Sequence, residues 1–99
     1  MYKKQKRNIK EVEFYDINLK EYLIIDVRTK REFSENHING AINIPLQEIK
    51  TNIVKYSIDK KKKILIYCKS GGRSTRAVEL LENMGYDNVY NLKGGIENI

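Results

Sequence analysis

The sequence predicts an α/β fold with a central, mostly parallel five-stranded sheet flanked by helices. Residues 64–67, Ile-Leu-Ile-Tyr, form a short uncharged run rich in β-branched residues, the pattern of a strand buried on both faces. Three residues beyond it stand Gly71 and Gly72, and then Ala77, Val78, Leu80, Leu81 and Met84 recur at helical spacing. Gly85 follows where a left-handed helix C-cap is expected. Other short apolar runs, at 22–27, 41–44 and 88–92, are separated by polar or helix-patterned segments, the alternation of a parallel sheet.

The elements follow in order. Residues 1–9 are polar and without periodicity, and read as a frayed or loosely docked tail. Residues 11–15 alternate charged and apolar side chains, so an edge strand is placed there. The stretch 16–21 is short for a crossover helix. Residues 22–27 read as a second buried strand that ends at Asp26 and Arg28. Thr29 is positioned to cap a two-turn helix over 30–36, with Glu32 in its first turn and Phe33 turned inward. Gly40 supplies backbone freedom for the connection to a strand at 41–44, and Pro45, which cannot donate to a ladder, closes that strand. Leu46, Ile49, Ile53 and Val54 predict a helix, and the lysines at 60–63 fit a solvated turn before the strand at 64–67. The fifth strand is expected at 88–92, and Gly94-Gly95 turns the chain toward the carboxyl rim of the sheet.

With 99 residues the chain is expected to be one domain around a single core. One cysteine cannot make an intramolecular disulfide, and no apolar run reaches the ~18 residues needed to span a bilayer. The first ten residues are basic like the start of a signal peptide, but Glu11, Glu13 and Asp16 interrupt where its apolar region would follow. The expected location is cytoplasmic, where a thiol stays reduced. Nineteen Lys and Arg against 13 Asp and Glu give a formal charge of +6, which favours small anions in general. No nucleic-acid module or arginine-aromatic interleaving accompanies that charge, so neither a specific nucleic acid nor a membrane is expected as partner.

The chemistry converges on Cys68, which the strand at 64–67 delivers to its carboxyl end and into a glycine-containing loop. Backbone N–H groups of such a loop, with a helix N-terminus beneath, make a cradle for negative charge, and Lys69 and Arg73 add formal positive charge. Thiols in comparable settings fall from ~8.5 to between ~3.5 and ~7.5, which makes Cys68 a candidate nucleophile. A buried core cysteine would need neither the two glycines nor the basic neighbours. Asp26 and Arg28 lie on the same rim, where open α/β sheets bind ligands, and are read as an ion-paired anchor for the neighbouring loops. His37, the sole histidine, invites a Cys-His pair, but its place in a sharp helix-to-strand connection favours a structural role. One His and one Cys do not make a zinc site, and neither metal nor cofactor is expected.

These same residues carry a family resemblance. Cys68-Lys69-Ser70-Gly71-Gly72-Arg73-Ser74 resembles the active-site loop C-x-x-G-x-R-S/T of rhodanese-like sulfurtransferases at every fixed position. Asp26-Val27-Arg28, Glu32-Phe33, His37-Ile38 with Gly40-Ala41 and Asn43-Ile44-Pro45, and Leu92-Lys93-Gly94-Gly95 resemble further family motifs in the family's order. The resemblance implies sulfur transfer through a Cys68 persulfide, from a small anionic donor such as thiosulfate to cyanide, a thiol or a sulfur-accepting protein. It further implies that Lys69, Ser70, Gly71, Gly72, Arg73 and Ser74 bind substrate. In this reading Lys69 meets the donor, Arg73 spans acceptors of its own loop, and Ser74 caps the helix. Two alternatives stand beside it. Phosphatases and arsenate reductases of the same fold place five residues between Cys and Arg, whereas this chain places four, Lys69 to Gly72. A non-catalytic docking module usually lacks the cysteine. The departures from the family are Asn36 where glycine is usual, the shortened 16–21 connection, and Ile99 where a tryptophan and further helix are common.

Overall fold

The computed structural model describes residues 9–99. Its five strands are β1 (Glu11–Val12), β2 (Leu23–Asp26), β3 (Ile42–Asn43), β4 (Ile64–Tyr67) and β5 (Val89–Leu92), with helices α1 (Lys30–Glu35), α2 (Ile49–Asn52) and α3 (Gly72–Asn83). The strands form one sheet in the order β1-β5-β4-β2-β3, and every pairing is parallel. The most apolar strands take the middle: all four β4 residues are buried, and β4 is paired along its length with β2. Polar Glu11 and Asn43 fall on the two edge strands, where one row of backbone groups faces away from the ladder.

Strand periodicity divides the core in two. Ile64, Ile66 and Cys68 share one cluster with Ala77, Val78 and Leu81 of α3 and Ile49 of α2. Leu65 and Tyr67 point to the opposite face, with Ile24, Ile38 and Leu92. On α3 the buried positions are Ser74, Ala77, Val78 and Leu81, the i, i+3, i+4, i+7 stripe of an amphipathic helix, and burial of Val78 and Leu81 contributes about 1.5–3 kcal/mol each. The helix ends where the sequence marks it, with Gly85 at φ 97° and its N–H donating to Glu82 O at 3.0 Å.

Several elements are shorter than the sequence pattern predicts. The edge strand at 11–15 is only Glu11–Val12, because the chain turns into a 3-10 turn at Phe14–Asp16. The stretch 16–21 holds a second such turn, Leu19–Glu21, capped by the Asn18 side chain. The helix expected from Leu46 to Val54 is broken into a 3-10 turn (Leu46–Glu48), the single turn of α2 and another 3-10 turn (Ile53–Tyr56), which stops at Ser57 with φ 50°. Only Ile49 and Ile53 of this segment are buried, with Leu46 half-buried against the same cluster, and so few anchors do not enforce a continuous helix. Of the tail at 1–9, residues 1–8 lie outside the described residues, and Ile9 packs on the α3-side cluster.

The face opposite α2 and α3 is covered by Phe14, Ile17, Leu19 and Ile96, residues of the turns and of the 3-10 turn Ile96–Asn98. Packing that the resemblance assigns to a crossover helix and a tryptophan is thus supplied by short turns.

The turn after β5 locks against the loop after β4. Ile96 N–H donates to Cys68 O at 2.9 Å and Glu97 N–H to Lys69 O at 3.1 Å. Gly95, at φ 64°, lies so close that a Cβ there would stand 2.4 Å from Lys69 O and 2.6 Å from Cys68 O, both backbone atoms. Gly95→Ala is therefore expected to cost about 2–4 kcal/mol in urea unfolding and to lower Cys68 alkylation selectivity by displacing the loop. An alanine variant of wild-type stability would show that the loop and turn do not meet this closely.

Candidate active site

Cys68 follows the last residue of β4 and is 1% exposed. Its side chain lies on the α3 side of the sheet because the two-residue period of β4 places it with Ile64 and Ile66. The chain then reverses into α3 through Gly71, whose φ of 121° is reserved for glycine. That reversal aims backbone donors at the sulfur: Gly71 N lies 3.1 Å and Ser74 N 3.4 Å from Sγ, and Ser74 Oγ lies at 3.4 Å. Burial pushes the Cys68 thiol up, but hydrogen bonds from the Ser74 side chain and from the N–H groups of Ser74, Gly71 and Ser70 outweigh it and hold the thiol below its ordinary value.

Ser74 is not the helix cap that the sequence pattern implies. The N-cap is Gly71, which has no side chain, and Ser74 sits one turn in, fully buried under the sulfur. Its hydroxyl reaches Gly71 O at 3.0 Å and Asn91 Oδ1 at 2.5 Å.

Arg73 likewise does not span the acceptors of its own loop. Its terminal nitrogens hold the two oxygens of Glu32 on α1, Nη1 to Oε1 at 2.7 Å and Nη2 to Oε2 at 3.0 Å. Glu32 is already fixed at the start of α1: Thr29 N–H donates to Oε1 at 2.9 Å while Glu32 N–H donates to Thr29 Oγ1 at 3.2 Å, a capping box. The bidentate arginine, followed by the Thr29 N–H, pushes the Glu32 carboxyl down to about 2. The same bond holds Arg73 charged, so the positive charge beside the cysteine arrives already paired.

Asp26 and Arg28 form a buried anchor. The Asp26 carboxylate accepts from the Arg28 backbone N–H at 2.9 Å, from Nε at 3.1 Å and from Nη2 at 2.8 Å. Nη2 also donates to Asn36 O at 2.7 Å, tying the end of α1 to the end of β2. Asn43 Nδ2 bridges Asp26 O and Arg28 O, and Tyr67 Oη accepts from Ile38 N–H at 3.0 Å, so the connections on either side of α1 are held by polar side chains of the sheet. Asn36, which stands where the family has glycine, is extended at φ −169°, so the turn needs no left-handed residue. His37 is exposed, stacks on Phe33 at 3.8 Å and has Nδ1 2.8 Å from Phe33 O. It is a clamp on the end of α1, and its Nδ1 is engaged away from the sulfur.

Lys69 is 61% exposed, with its ammonium 3.8 Å from Glu97. It lines a cleft of about 350 Å³ with Arg28, Glu32, Glu35, Asn36, Ile96 and Glu97. Among the described residues no group of three His, Cys, Asp or Glu side chains is placed to hold a metal ion, and no helix is long and apolar enough to cross a membrane. Reasoning from sequence misses the Arg73 link of Glu32 and the place of Asn91 altogether. The Thr29-x-x-Glu32 box is legible locally, but both missed contacts join residues far apart in the chain.

A thiol held down by a backbone N–H cradle at the carboxyl rim of a parallel sheet is an arrangement suited to stabilising negative charge on sulfur. The model of the rhodanese-like domain matches residues 11–99, and the chain belongs to that family. It is 43% identical over 75 residues to thiosulfate sulfurtransferase PspE of Escherichia coli, covering 76% of this chain and 71% of PspE. Of solved structures, a rhodanese with anions from E. coli matches with TM-score 0.72 and 41% identity over 79% of this chain and 91% of its own. A rhodanese-related protein of Thermoplasma volcanium matches with TM-score 0.77 and 32% identity over 89% and 87%. The chain spans 71% of the length of PspE but 18% of that of adenylyltransferase and sulfurtransferase uba4 of Ogataea parapolymorpha. The kinship is with sulfurtransferases.

The depressed Glu32 carboxyl makes a pH prediction. Its folded pKa lies below the ordinary value near 4.5, so its contribution is complete above pH 4.5 and is lost as pH falls toward about 2. Discounted for partial exposure, wild-type protein should lose about 1–2 kcal/mol more than Glu32→Gln between pH 5 and pH 2 in urea titrations. Parallel curves would remove the charge pair as the cause.

Proposed function

We propose that the protein transfers sulfane sulfur through a persulfide on Cys68, with thiosulfate or a similar small anion as donor and cyanide, a thiol or a sulfur-accepting protein as acceptor. The observation that carries this reading is the convergence of Gly71 N, Ser74 N and Ser74 Oγ on Cys68 Sγ. The thiolate attacks the outer sulfur of thiosulfate, the donor's S–S bond breaks, and sulfite leaves with the bonding pair. The negative charge moves one S–S bond, about 2 Å, outward to the new terminal sulfur. The N–H groups of the loop and of the first turn of α3, whose residues have no intrahelical acceptor, stabilise it there. The acceptor then attacks the terminal sulfur, a bond to it forms, and the Cys68 thiolate is regenerated. Two electrons move with each bond and no outside oxidant or reductant is needed.

The four-residue spacing between Cys68 and Arg73 supports a cradle for one sulfur over a cradle for a tetrahedral oxyanion. Lys69, paired only at the surface, is free to exchange Glu97 for the donor's sulfonate.

Intact-mass spectrometry tests the covalent step: thiosulfate-treated protein gains the mass of one sulfur atom and loses it to cyanide, and Cys68→Ser gains nothing. A Cys68→Ser protein with the same mass gain, or cysteine-dependent release of phosphate from an aryl phosphate, would overturn the reading. Kinetics separates the two basic residues. Lysine at position 73 keeps charge but loses the two-pronged grip on Glu32, so Arg73→Lys should lower turnover about tenfold, whereas Lys69→Ala should raise KM for thiosulfate about two- to fivefold with little change in turnover. Equal effects on turnover would reduce Arg73 to one more positive charge.

A further inference from the structure

The Ser74 hydroxyl has one proton and three acceptors within reach. Gly71 O, at 3.0 Å, already receives Thr75 N–H at 3.1 Å and Thr75 Oγ1 at 2.8 Å, so it does not depend on Ser74. Asn91 Oδ1 is the nearest acceptor, at 2.5 Å, in a side chain whose residue is 1% exposed. Among the described residues Ser74 is the donor to that oxygen. The third acceptor is Cys68 Sγ, at 3.4 Å.

Asn91 is held in one orientation. It lies on β5 in register with Ile66 and Glu11, facing α3, and its Nδ2 donates to Glu11 Oε2 at 3.1 Å. A carboxylate only accepts, so the amide nitrogen faces Glu11 and the amide oxygen must face Ser74. When Ser74 gives its proton to the sulfur, Asn91 Oδ1 is left buried without a donor, which is unfavourable.

We propose that Asn91, oriented by Glu11, is a positioning residue that competes with Cys68 for the Ser74 proton and thereby keeps the thiolate less stabilised and more nucleophilic than its cradle alone would make it. The inference rests on Cys68 being the reacting sulfur. Ser74 bonds to Asn91 while the sulfur is a thiol, turns to the sulfur when it is a thiolate, and returns to Asn91 once transfer has carried the charge to the outer sulfur. Asn91 thus favours departure from the thiolate state.

The other charged groups around Cys68 do not act through this contact. Arg73 of α3 is paired with Glu32 of α1, Asp26 with Arg28 at the end of β2, and Lys69 with Glu97 at the rim. The Tyr67 phenol of β4, pushed far up by burial, stays neutral. Glu11 of β1 reaches Asn91 and not the sulfur.

The test is the pH dependence of iodoacetamide alkylation of Cys68, which reads the thiol pKa without any sulfur donor. In Asn91→Leu the hydroxyl is left with Gly71 O, which already has two other donors, and the sulfur, so its donation to a thiolate no longer strands a buried acceptor and the thiol pKa falls by about one. A weaker base is a weaker nucleophile, roughly threefold for that fall, so the variant alkylates about threefold faster than wild type at low pH and about threefold slower on the high-pH plateau. The two profiles cross. A purely structural loosening raises or lowers the rate without crossing. In a Ser74→Ala background the same substitution leaves the pKa unmoved, since no proton remains to compete for. Glu11→Gln, at an exposed position, gives a smaller fall of the same sign that also disappears in Ser74→Ala, and it decides the matter should Asn91→Leu not fold. Uncrossed profiles, or an equal pKa fall with and without Ser74, overturn the proposal. Crossed profiles in a protein that takes no sulfur from thiosulfate would keep it and overturn only the sulfur-transfer reading.

Discussion

Backbone N–H groups that point at one atom also point their positive ends at one another, so the loop from Cys68 to Ser74 does not hold its shape by itself. The rest of the rim compensates for that constraint. Gly71 at φ 121° makes the reversal possible, and α3 continues it into a helix whose buried stripe fixes the lower half of the loop. From the other side, the Ile96 and Glu97 N–H groups take the carbonyls of Cys68 and Lys69, and the Ser70 N–H, which shares its peptide with Lys69 O, is among the groups that hold the thiol down. Gly95 is the residue that permits this contact, since any side chain would occupy the space of the two carbonyls.

A second layer of support is ionic, and its design is compensation. Arg73 beside the thiol and Arg28 at the neighbouring strand end are each paired with a carboxylate at about 3 Å. Two isolated guanidinium groups would strengthen the field at the sulfur but would also repel one another, and Arg28 would be buried without a partner. Pairing removes both costs and turns the charges into struts: Arg73 ties α3 to α1 through Glu32, and Arg28 ties β2 to the end of α1 through Asn36 O. Stabilisation of the anion is then left to the buried Ser74 hydroxyl and to backbone dipoles at hydrogen-bond distance, the groups least screened by solvent.

The sheet, the position of Cys68 at a strand end, the helix after it and the Thr29 cap were legible in the sequence because each depends on neighbours in the chain: a buried run, a glycine, an i, i+3, i+4 repeat. The anchoring role of Asp26 with Arg28 was legible for the same reason, their separation being two residues. What was not legible depends on the tertiary partner. Leu46 to Val54 has helical spacing, but with only Ile49 and Ile53 buried the packing does not reward a continuous helix, and three short pieces replace it. Arg73 was assigned to its own loop because Glu32, 41 residues away, is brought beside it only by the parallel sheet order. Ser74 carries the signature of a cap, yet Gly71 ends the loop one turn earlier and leaves the hydroxyl beneath the sulfur.

Asn91 is the residue that pattern reasoning was least equipped to find. In β5 it stands between Tyr90 and Leu92 on the opposite face from both, at a position that period two assigns to the core with Val89. A polar side chain at a core position of a strand costs stability unless it is fully bonded, and this one is, to Glu11 on one side and Ser74 on the other. A valine there would pack as well and bury no amide. The sequence position therefore makes sense only through the group it touches: α3 presents a serine in its apolar stripe, that serine stands beneath the sulfur, and the amide oxygen is the nearest of the acceptors that compete with the sulfur for the serine's proton.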